Sequence, residues 1–206
     1  MTAATLWDYP KSSANYRVHI ALNLAGIDYK IEPVDLPSKV HRSPEHLARN
    51  PQGLVPVLDI DGQRFTQSLA ILDYLDTIRN LGFLPRDPIQ RAKAQALSHA
   101  IAVDLLPVCN LSVVAHATGK QDAARTDWMH HFISPGLAAF EDLLAGLDQS
   151  PFAIGDAPSL ADICLIPQLY NANRGEWIMM GAPGSKLLKQ YVHPILPLSP
   201  LHPSNR

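Results

Sequence analysis

The chain has 206 residues, of which 47% are hydrophobic and 17% are charged. That composition is typical of a folded globular protein and excludes a disordered or fibrous chain, and the length suffices for one large domain or two small ones. The formal net charge of -2 provides no basic surface, so we expect no nucleic-acid partner.

The cysteines and the N-terminal residues favour a cytoplasmic location. Cys109 and Cys164 form no C-x-x-C pair and no disulfide framework. The first residues lack the basic and then apolar layout of a signal peptide. No apolar run approaches the roughly 20 residues needed to cross a bilayer. We therefore expect a cytoplasmic protein that is not embedded in a membrane.

Short strands and helices are predicted to alternate through residues 1–81. A brief strand at 5–9 precedes a helix that Ser12 or Ser13 can cap and that Gly26 can end. The remaining predicted elements are a strand around 29–34, a short helix within 41–49, a strand at 54–58, a hairpin turn at Asp61-Gly62, a strand at 63–66 and a helix at 68–78. This order predicts an α/β domain.

The last helix of this part is expected to begin at a cap formed by Ser68. Its apolar residues Leu69, Leu72, Leu75 and Ile78 are predicted to share the face that packs on the sheet.

Residues 88–206 are predicted to form an all-helical domain, because prolines and a glycine interrupt the pattern at 81–88 and helical spacing follows. Long helices are predicted at 91–106 and 128–147. The segment 159–162 resembles a capping box, with Ser first and Asp fourth, that opens a further apolar helix through Leu169. The glycines and prolines after residue 175 predict irregular structure there.

Ser12 and Ser13 are the first candidate for chemistry. A thiol must ionise to react, and a free thiol with a pKa near about 8.5 is mostly protonated at neutral pH. A hydroxyl at a helix N-terminus, beside unpaired backbone donors and the positive end of the dipole, can stabilise a bound thiolate. The alternative is that both serines only cap the helix.

Two further motifs add to this site. The proline in Val55-Pro56 interrupts a strand, which leaves the backbone of Val55 able to pair with an extended peptide. Gln67 and Ser68 stand at a helix start, where hydroxyl, amide and backbone donors suit a carboxylate. In this order within one α/β domain, the three motifs indicate a binding site for a small acidic thiol peptide.

Three segments carry a resemblance to a known family: residues 12–29 (SSANYRVHIALNLAGIDY), 50–56 (NPQGLVP) and 67–75 (QSLAILDYL). They resemble the zeta class of glutathione transferases, which includes maleylacetoacetate and maleylpyruvate isomerases. The resemblance continues through 104–114 and 158–174. It implies a thioredoxin-like N-terminal domain, 1–81, followed by an all-α substrate-binding domain, and usually a homodimer.

The resemblance also implies roles for particular residues. Ser12 is similar in place to the family's thiol-activating serine, and Arg174 falls where an arginine faces the acidic substrate. The other residues implied to contact glutathione are Ser13, Ala14, Asn15, Tyr16 and Arg17 beside Ser12; His41 at the glycine end; Val55 and Pro56 at the backbone pairing; Gln67 and Ser68 at the γ-glutamyl group; and Asn110 and Ser112 in the helical domain.

Three positions depart from the family pattern. Ala14 stands where the family motif Ser-Ser-Cys has its cysteine, and Leu106 and Cys109 replace usual polar residues. These departures bear more on isomerisation than on glutathione binding.

The resemblance implies a glutathione-dependent cis–trans isomerase of a maleyl-type diketo acid. In that reaction a thiolate adds to the conjugated double bond, the resulting single bond rotates, and elimination returns the thiol with the trans product. Two alternatives remain: a glutathione transferase or dehalogenase acting on small electrophilic acids, and a glutathione-binding protein without turnover. No metal is expected, because His130 and His131 are neighbours on a helix and point about 100° apart.

Overall fold

Four short strands form one mixed sheet in the order β2-β1-β3-β4. The strands are Ala4–Asp8 (β1), Tyr29–Pro33 (β2), Val57–Ile60 (β3) and Gln63–Thr66 (β4). β1 runs parallel to β2 and antiparallel to β3, and β3 is antiparallel to β4. The computed structural model describes residues 4–147 and 151–174, which fall into two units, 4–81 and 82–174. The sheet belongs to the first unit.

The helices of the first unit alternate with these strands as the sequence predicts. They are α1 (Ser13–Leu24), a 3₁₀ turn (Val40–Arg42), α2 (Pro44–Arg49) and α3 (Ser68–Arg79). The predicted thioredoxin-like α/β order is thereby confirmed. Gly26 takes a positive φ of 61° just beyond α1, which is the left-handed conformation expected after a helix end.

The core of the first unit lies between the sheet and the packed pair α1 and α3. Side chains alternate along β1, so Ala4, Leu6 and Asp8 are buried while the residues between them are half-exposed. Asp8 therefore points to the same buried side as Leu6. A carboxylate placed there needs a partner, because burying an unpaired charge costs free energy.

The buried face of α3 differs from the prediction. Ser68, Ile71, Leu72 and Leu75 are buried, while Leu69 is half-exposed and Ile78 is exposed. The predicted set rested on a spacing of three residues, which drifts around a helix of 3.6 residues per turn. The observed spacing of three and then four keeps the buried side chains on one face.

Helices make up the second unit. They are α4 (Pro88–His99), a π-helical segment (Ala100–Leu105), α5 (Leu106–Val108), α6 (Leu111–Ala117), α7 (Asp122–Ala145) and α8 (Leu160–Arg174). α4 packs on α8, and α7 packs on the π-helical segment. Gly136 permits a close approach there, since a Cβ on it would lie 3.1 Å from the Leu105 side chain.

Both long helices of the second unit begin earlier than predicted. α4 starts at Pro88 rather than at residue 91, because the Asp87 carboxylate accepts hydrogen bonds from the backbone N–H groups of Ile89 and Gln90. Pro88 suits the first helical position, where no N–H is needed. α7 likewise begins at Asp122 rather than at residue 128.

One half of the predicted capping box forms at the start of α8, because the Ser159 hydroxyl donates to Asp162 and does not accept from its backbone N–H. The Asp162 carboxylate accepts hydrogen bonds from the Ser159 hydroxyl at 2.6 Å and the Ser159 backbone N–H at 2.9 Å. Its other oxygen accepts from the Ala153 backbone N–H at 2.8 Å. Burial raises the pKa of Asp162, and these hydrogen bonds oppose the rise. The helix runs beyond the predicted Leu169 to Arg174.

Some predictions fall on residues that the structure does not describe. The irregular stretch after residue 175 and the side chain of Arg174 lie outside the described residues. Within 4–147 and 151–174, no single helix is long and apolar enough to span a membrane, although the bent pair Pro88–Val108 and Leu111–Ala117 passes by length and composition. The same residues contain no group of three or more His, Cys, Asp or Glu side chains placed to hold a metal ion.

Candidate active site

Ser12 caps the N-terminus of α1. Its backbone is extended, with φ -86° and ψ 116°, and its Oγ accepts a hydrogen bond from the Asn15 backbone N–H at 3.2 Å. Because the oxygen accepts, the hydroxyl proton remains available for an anion in front of the helix. Ser12 is half-exposed, and the helix dipole adds positive potential at this end. Capping and anion binding are thus compatible at Ser12.

Two residues that follow Ser12 in α1 are almost fully buried and form side-chain hydrogen bonds within the first unit. Asn15 and Arg17 are each 1% exposed. The Asn15 side-chain amide donates to the Trp7 carbonyl oxygen at 3.0 Å, which ties α1 to β1. The Arg17 guanidinium donates to the Ser68 Oγ at 3.4 Å, which connects the starts of α1 and α3. Any influence of these two side chains on a ligand is therefore exerted through the elements that they hold.

The other residues of this segment surround Ser12 at different depths. Ser13 and Tyr16 are buried and Ala14 is half-exposed in the first turn of α1. Ala14 brings a methyl group beside Ser12, where the family motif has a thiol.

A buried polar chain lies farther along α1. The His19 Nε2 is 3.3 Å from the Asp8 carboxylate, and its Nδ1 is 2.7 Å from the Tyr29 hydroxyl. That hydroxyl also lies 3.5 Å from the Asn23 side-chain oxygen. Burial, and secondarily the charge of Asp8, raises the pKa of Tyr29 to about 12. Sequence reasoning missed this chain. The signal available was an acidic residue at an alternating, core-facing position of β1.

The loop before Pro56 is fixed by buried polar side chains. The Leu54 carbonyl oxygen accepts hydrogen bonds from His46 Nε2 at 3.0 Å and from the Asn50 side-chain amide at 2.9 Å. His46 and Asn50 are both buried. The backbone leading into Val55 is therefore held in one conformation.

Val55 lies just outside the sheet ladder. The Val55-Pro56 peptide bond is cis, and β3 begins only at Val57. Within the described part of the chain, no backbone hydrogen bond involves Val55. Its N–H and C=O groups are available to an extended peptide, as the sequence motif indicates.

α3 does not begin as predicted. Gln67, not Ser68, is the N-cap residue, and no side chain caps the helix. Gln67 adopts φ 68° and ψ 112°, which swings the chain into the helix one residue earlier. Ser68 is therefore the first helical residue, and its buried hydroxyl accepts from Arg17 instead of capping. The Gln67 side chain is exposed and bonds to Gln52.

His41 is half-buried in the 3₁₀ turn before α2. Burial, together with the nearby Arg42 and His46, lowers the pKa of its imidazole below 6.5. His41 is therefore mainly neutral at pH 7. Its buried Nδ1 has no hydrogen-bond partner in the described part of the chain.

The second unit contains the remaining candidates. Asn110 is the N-cap residue of α6, although its side chain makes no capping bond, and Ser112 is exposed in the first turn. A cavity of about 350 Å³ opens between α6 and α7, and neither residue lines it. Leu106 is half-buried, and Cys109 is buried, which raises its thiol pKa to about 11. Cys109 is thus a packing residue.

The sheet order, the serine at the start of α1 and the unpaired backbone beside Pro56 are those of a thioredoxin-like domain. Residues 2–77 match the family model described as "Glutathione S-transferase, N-terminal domain". Maleylacetoacetate isomerase of Rhizobium meliloti (strain 1021) is 56% identical over 182 residues, which cover 86% of this chain and 85% of that protein.

Solved structures show the same similarity. Maleylacetoacetate isomerase from Anaeromyxobacter dehalogenans 2CP-1, with bound dicarboxyethyl glutathione and citrate in the active site, has a TM-score of 0.82 and 32% identity, covering 100% of this chain and 98% of that one. Maleyl pyruvate isomerase, a bacterial glutathione S-transferase in the zeta class, has a TM-score of 0.86 and 29% identity, covering 98% of each chain. The chain belongs to the maleylacetoacetate isomerase family of zeta-class glutathione transferases.

Proposed function

We propose that the protein is a glutathione-dependent enzyme that isomerises a maleyl-type diketo acid, maleylacetoacetate or maleylpyruvate, from cis to trans. The observation that carries the proposal is the hydroxyl of Ser12. It caps α1 through its oxygen, keeps its proton for an anion, and stands at the positive end of a helix. A thiolate is the anion that this reaction requires.

The residues of the first unit fit glutathione. Val55 offers an unused N–H and C=O pair, as required for a cysteinyl backbone to align as an added strand. Gln67 and Ser68, with the backbone N–H groups at the start of α3, suit the γ-glutamyl end. His41 suits the glycine end, because its unpartnered Nδ1 is placed in a half-buried turn. Ser13, Ala14 and Pro56 complete the walls, while Asn15, Tyr16 and Arg17 support them from within.

Ser12 has the catalytic role. When bound, glutathione supplies a thiol that adds reversibly to a conjugated double bond. The Ser12 hydroxyl donates a hydrogen bond to the sulfur and thereby favours the ionised form. The dipole of α1 acts in the same direction. No side chain of the chain's own needs to supply a nucleophile, so Ala14 is compatible with the reaction.

The structures of relatives support the substrate class. The Anaeromyxobacter isomerase holds dicarboxyethyl glutathione, in which the thiol is joined to a four-carbon diacid, together with citrate. For this chain we assign Arg174 to the substrate carboxylates and to the negative charge that develops on addition. Asn110 and Ser112 are assigned to polar contacts with glutathione. These three assignments rest on the resemblance of their sequence positions.

Two finer properties belong to the same proposal. A homodimer is what the resemblance implies, and the helical unit exposes apolar side chains, of which Ile89 is 66%, Val103 52% and Leu111 50% exposed. Sedimentation should then give twice the chain mass of 22.6 kDa. A cytoplasmic location is supported by Cys109 and Cys164, which form no disulfide in the described chain.

The test is an assay of the purified protein with maleylacetoacetate or maleylpyruvate and glutathione. We expect conversion to the trans product with no net consumption of glutathione. Ser12→Ala should lower kcat by about 100-fold or more, with a much smaller change in glutathione affinity. Ser38→Ala, on an exposed turn, is the matched control and should change neither.

Other outcomes identify the alternatives. Stoichiometric loss of glutathione, with conjugation or release of halide from a chlorinated acid but no isomerisation, indicates a transferase or dehalogenase. Glutathione binding without turnover of any of these acids indicates a binding protein. Equal losses of kcat and of affinity in Ser12→Ala contradict the role given to Ser12.

A further inference from the structure

The backbone of Gln52 forms hydrogen bonds with the side chains of Asn50 and Arg42. The Gln52 N–H donates to the Asn50 side-chain oxygen at 3.1 Å, and the Gln52 carbonyl oxygen accepts from Arg42 Nη1 at 3.2 Å. The next residue, Gly53, has φ +60°, and a Cβ on it would lie 2.8 Å from Arg42 Nη1 and 2.9 Å from the His41 carbonyl oxygen. Glycine is therefore required there, and the backbone of Gln52 is bonded on both its N–H and its carbonyl side.

From this position Gln52 reaches the residue before α3. The Gln67 side-chain Nε2 donates to the Gln52 Oε1 at 2.7 Å. Both side chains are exposed. Gln67 also has a positive φ of 68°, a conformation that a non-glycine residue keeps only when its surroundings fix it. The bond to Gln52 connects two loops that both border the start of α3.

In this bond the Gln67 amide turns its NH₂ group toward Gln52 and its oxygen outward. A primary amide carries a donor NH₂ and an acceptor oxygen on opposite sides. With one N–H of this NH₂ group bonded to Gln52, the Gln67 Oε1 is the acceptor left for a ligand. The amide oxygen can accept a hydrogen bond from an ammonium group. An NH₂ group facing outward could not, because both groups are donors. The neighbouring Ser68 and the backbone donors of α3 suit the carboxylate on the same ligand carbon.

We propose that Gln52 is a positioning residue that turns the Gln67 amide oxygen toward the ammonium group of the γ-glutamyl moiety of glutathione, and so makes the enzyme selective for that amine. The inference deepens the proposed function and rests on it. Gln52 acts through Gln67 and is not itself a catalytic residue.

The experiment compares glutathione with its analogue that lacks the γ-glutamyl amino group, glutaryl-cysteinyl-glycine. Calorimetry gives the ratio of the two affinities for the wild type, for Gln52→Ala, for Gln67→Ala and for the double variant. Wild type should prefer glutathione. Gln52→Ala should reduce the preference roughly threefold to tenfold while leaving the affinity for the analogue unchanged. In the Gln67→Ala background, Gln52→Ala should have no further effect.

Two more variants distinguish loss of the acceptor at position 52 from a general effect of substitution. Gln52→Glu retains an acceptor for the Gln67 NH₂ group, so it should still bind glutathione more tightly than glutaryl-cysteinyl-glycine. Gln63→Ala, an exposed glutamine on β4, is the matched control and should do so too. Thermal unfolding of the Gln52 variants should match that of wild type, because the side chain is exposed.

The inference is overturned if Gln52→Ala keeps the full preference, if it weakens both ligands equally, or if it has the same effect with and without Gln67. Those outcomes leave the proposed function intact, since wild type still binds glutathione and isomerises the diketo acid. If wild type binds neither peptide, the proposed function itself fails, and this inference fails with it.

Discussion

The imidazole of His19 lies 3.3 Å from the buried carboxylate of Asp8. This contact joins α1 to β1 from within the core, seven residues after Ser12 along the helix. The other ring nitrogen of His19 meets Tyr29 on β2, so one side chain connects three elements. The direction of α1, and with it the position of the Ser12 hydroxyl, depends on this buried chain and on the bond from Asn15 to the Trp7 carbonyl.

Removing the His19 side chain should destabilise the first unit. His19→Ala removes the imidazole that lies 3.3 Å from the buried Asp8 carboxylate, and we expect a loss of about 2 kcal/mol in the free energy of unfolding. Urea denaturation measures it. His116→Ala, at an exposed position on α6, is the control and should stay within about 0.5 kcal/mol of wild type. A similar small loss for both variants would show that the Asp8–His19 contact contributes nothing.

Tyr29 should ionise later than an ordinary tyrosine. Its pKa is raised to about 12, mainly by burial, so the neutral phenol favours the folded state. The stability it contributes is present below pH 10 and is lost as the pH rises toward about 12. Ultraviolet titration of Tyr29→Phe should lack the phenolate that ionises near pH 12 in the wild type. In Tyr74→Phe, which removes a phenol whose pKa is raised by its hydrogen bond to Asp61, the transition near pH 12 should persist, and its disappearance there would refute the assignment.

His41 should respond to glutathione through its pKa. In the free protein that pKa lies below 6.5, first because of burial and then because of Arg42 and His46. A glycyl carboxylate beside the ring would raise it, so the affinity for glutathione should increase as the pH falls toward the His41 pKa. NMR titration, with His41→Gln to assign the resonance, measures the shift. γ-Glutamylcysteine, which lacks the glycine, should produce no such rise; an equal rise with both peptides would contradict the placement.

Asp162 should be a major determinant of stability in the helical unit. Asp162→Ala removes the acceptor for the backbone N–H groups of Ala153 and Ser159, and we expect a loss of about 3 kcal/mol. Asp162→Asn keeps one oxygen acceptor and should lose less. Asp142→Ala changes an exposed aspartate on α7 and should have little effect in the same chemical denaturation.

Much of the fold was predictable because it depends on residues that are close together in the sequence. The alternation along β1, the Ser12 cap and Gly26 at the end of α1 each depend on neighbouring residues only. The start of α3 was not predictable in this way, because the positive φ of Gln67 and the bond from Arg17 to Ser68 involve residues 51 positions apart. The π-helical segment at Ala100–Leu105 also carries an ordinary helical pattern in the sequence.

In the candidate site, too, residues with a local sequence signature were predictable, and residues that depend on contacts between distant elements were not. Ser12 and Val55 were identifiable from motifs, because a helix start and a proline within a strand have local signatures. Asp8, His19 and Tyr29 were missed, since their pairing depends on how three elements pack. Gln52 was missed for a similar reason: its side chain matters only through Gln67, which approaches it after β3 and β4 have formed.

Ala14 has a consequence for redox chemistry. The only cysteines of the chain are Cys109 and Cys164, so residues 1–108 contain no thiol, and the first turn of α1 presents a methyl group beside Ser12. A protein cysteine in that turn would exchange with oxidised glutathione and become covalently blocked. With Ala14 there, the first turn of α1 offers oxidised glutathione no thiol with which to exchange. Exposure to oxidised glutathione should therefore form no mixed disulfide in that turn.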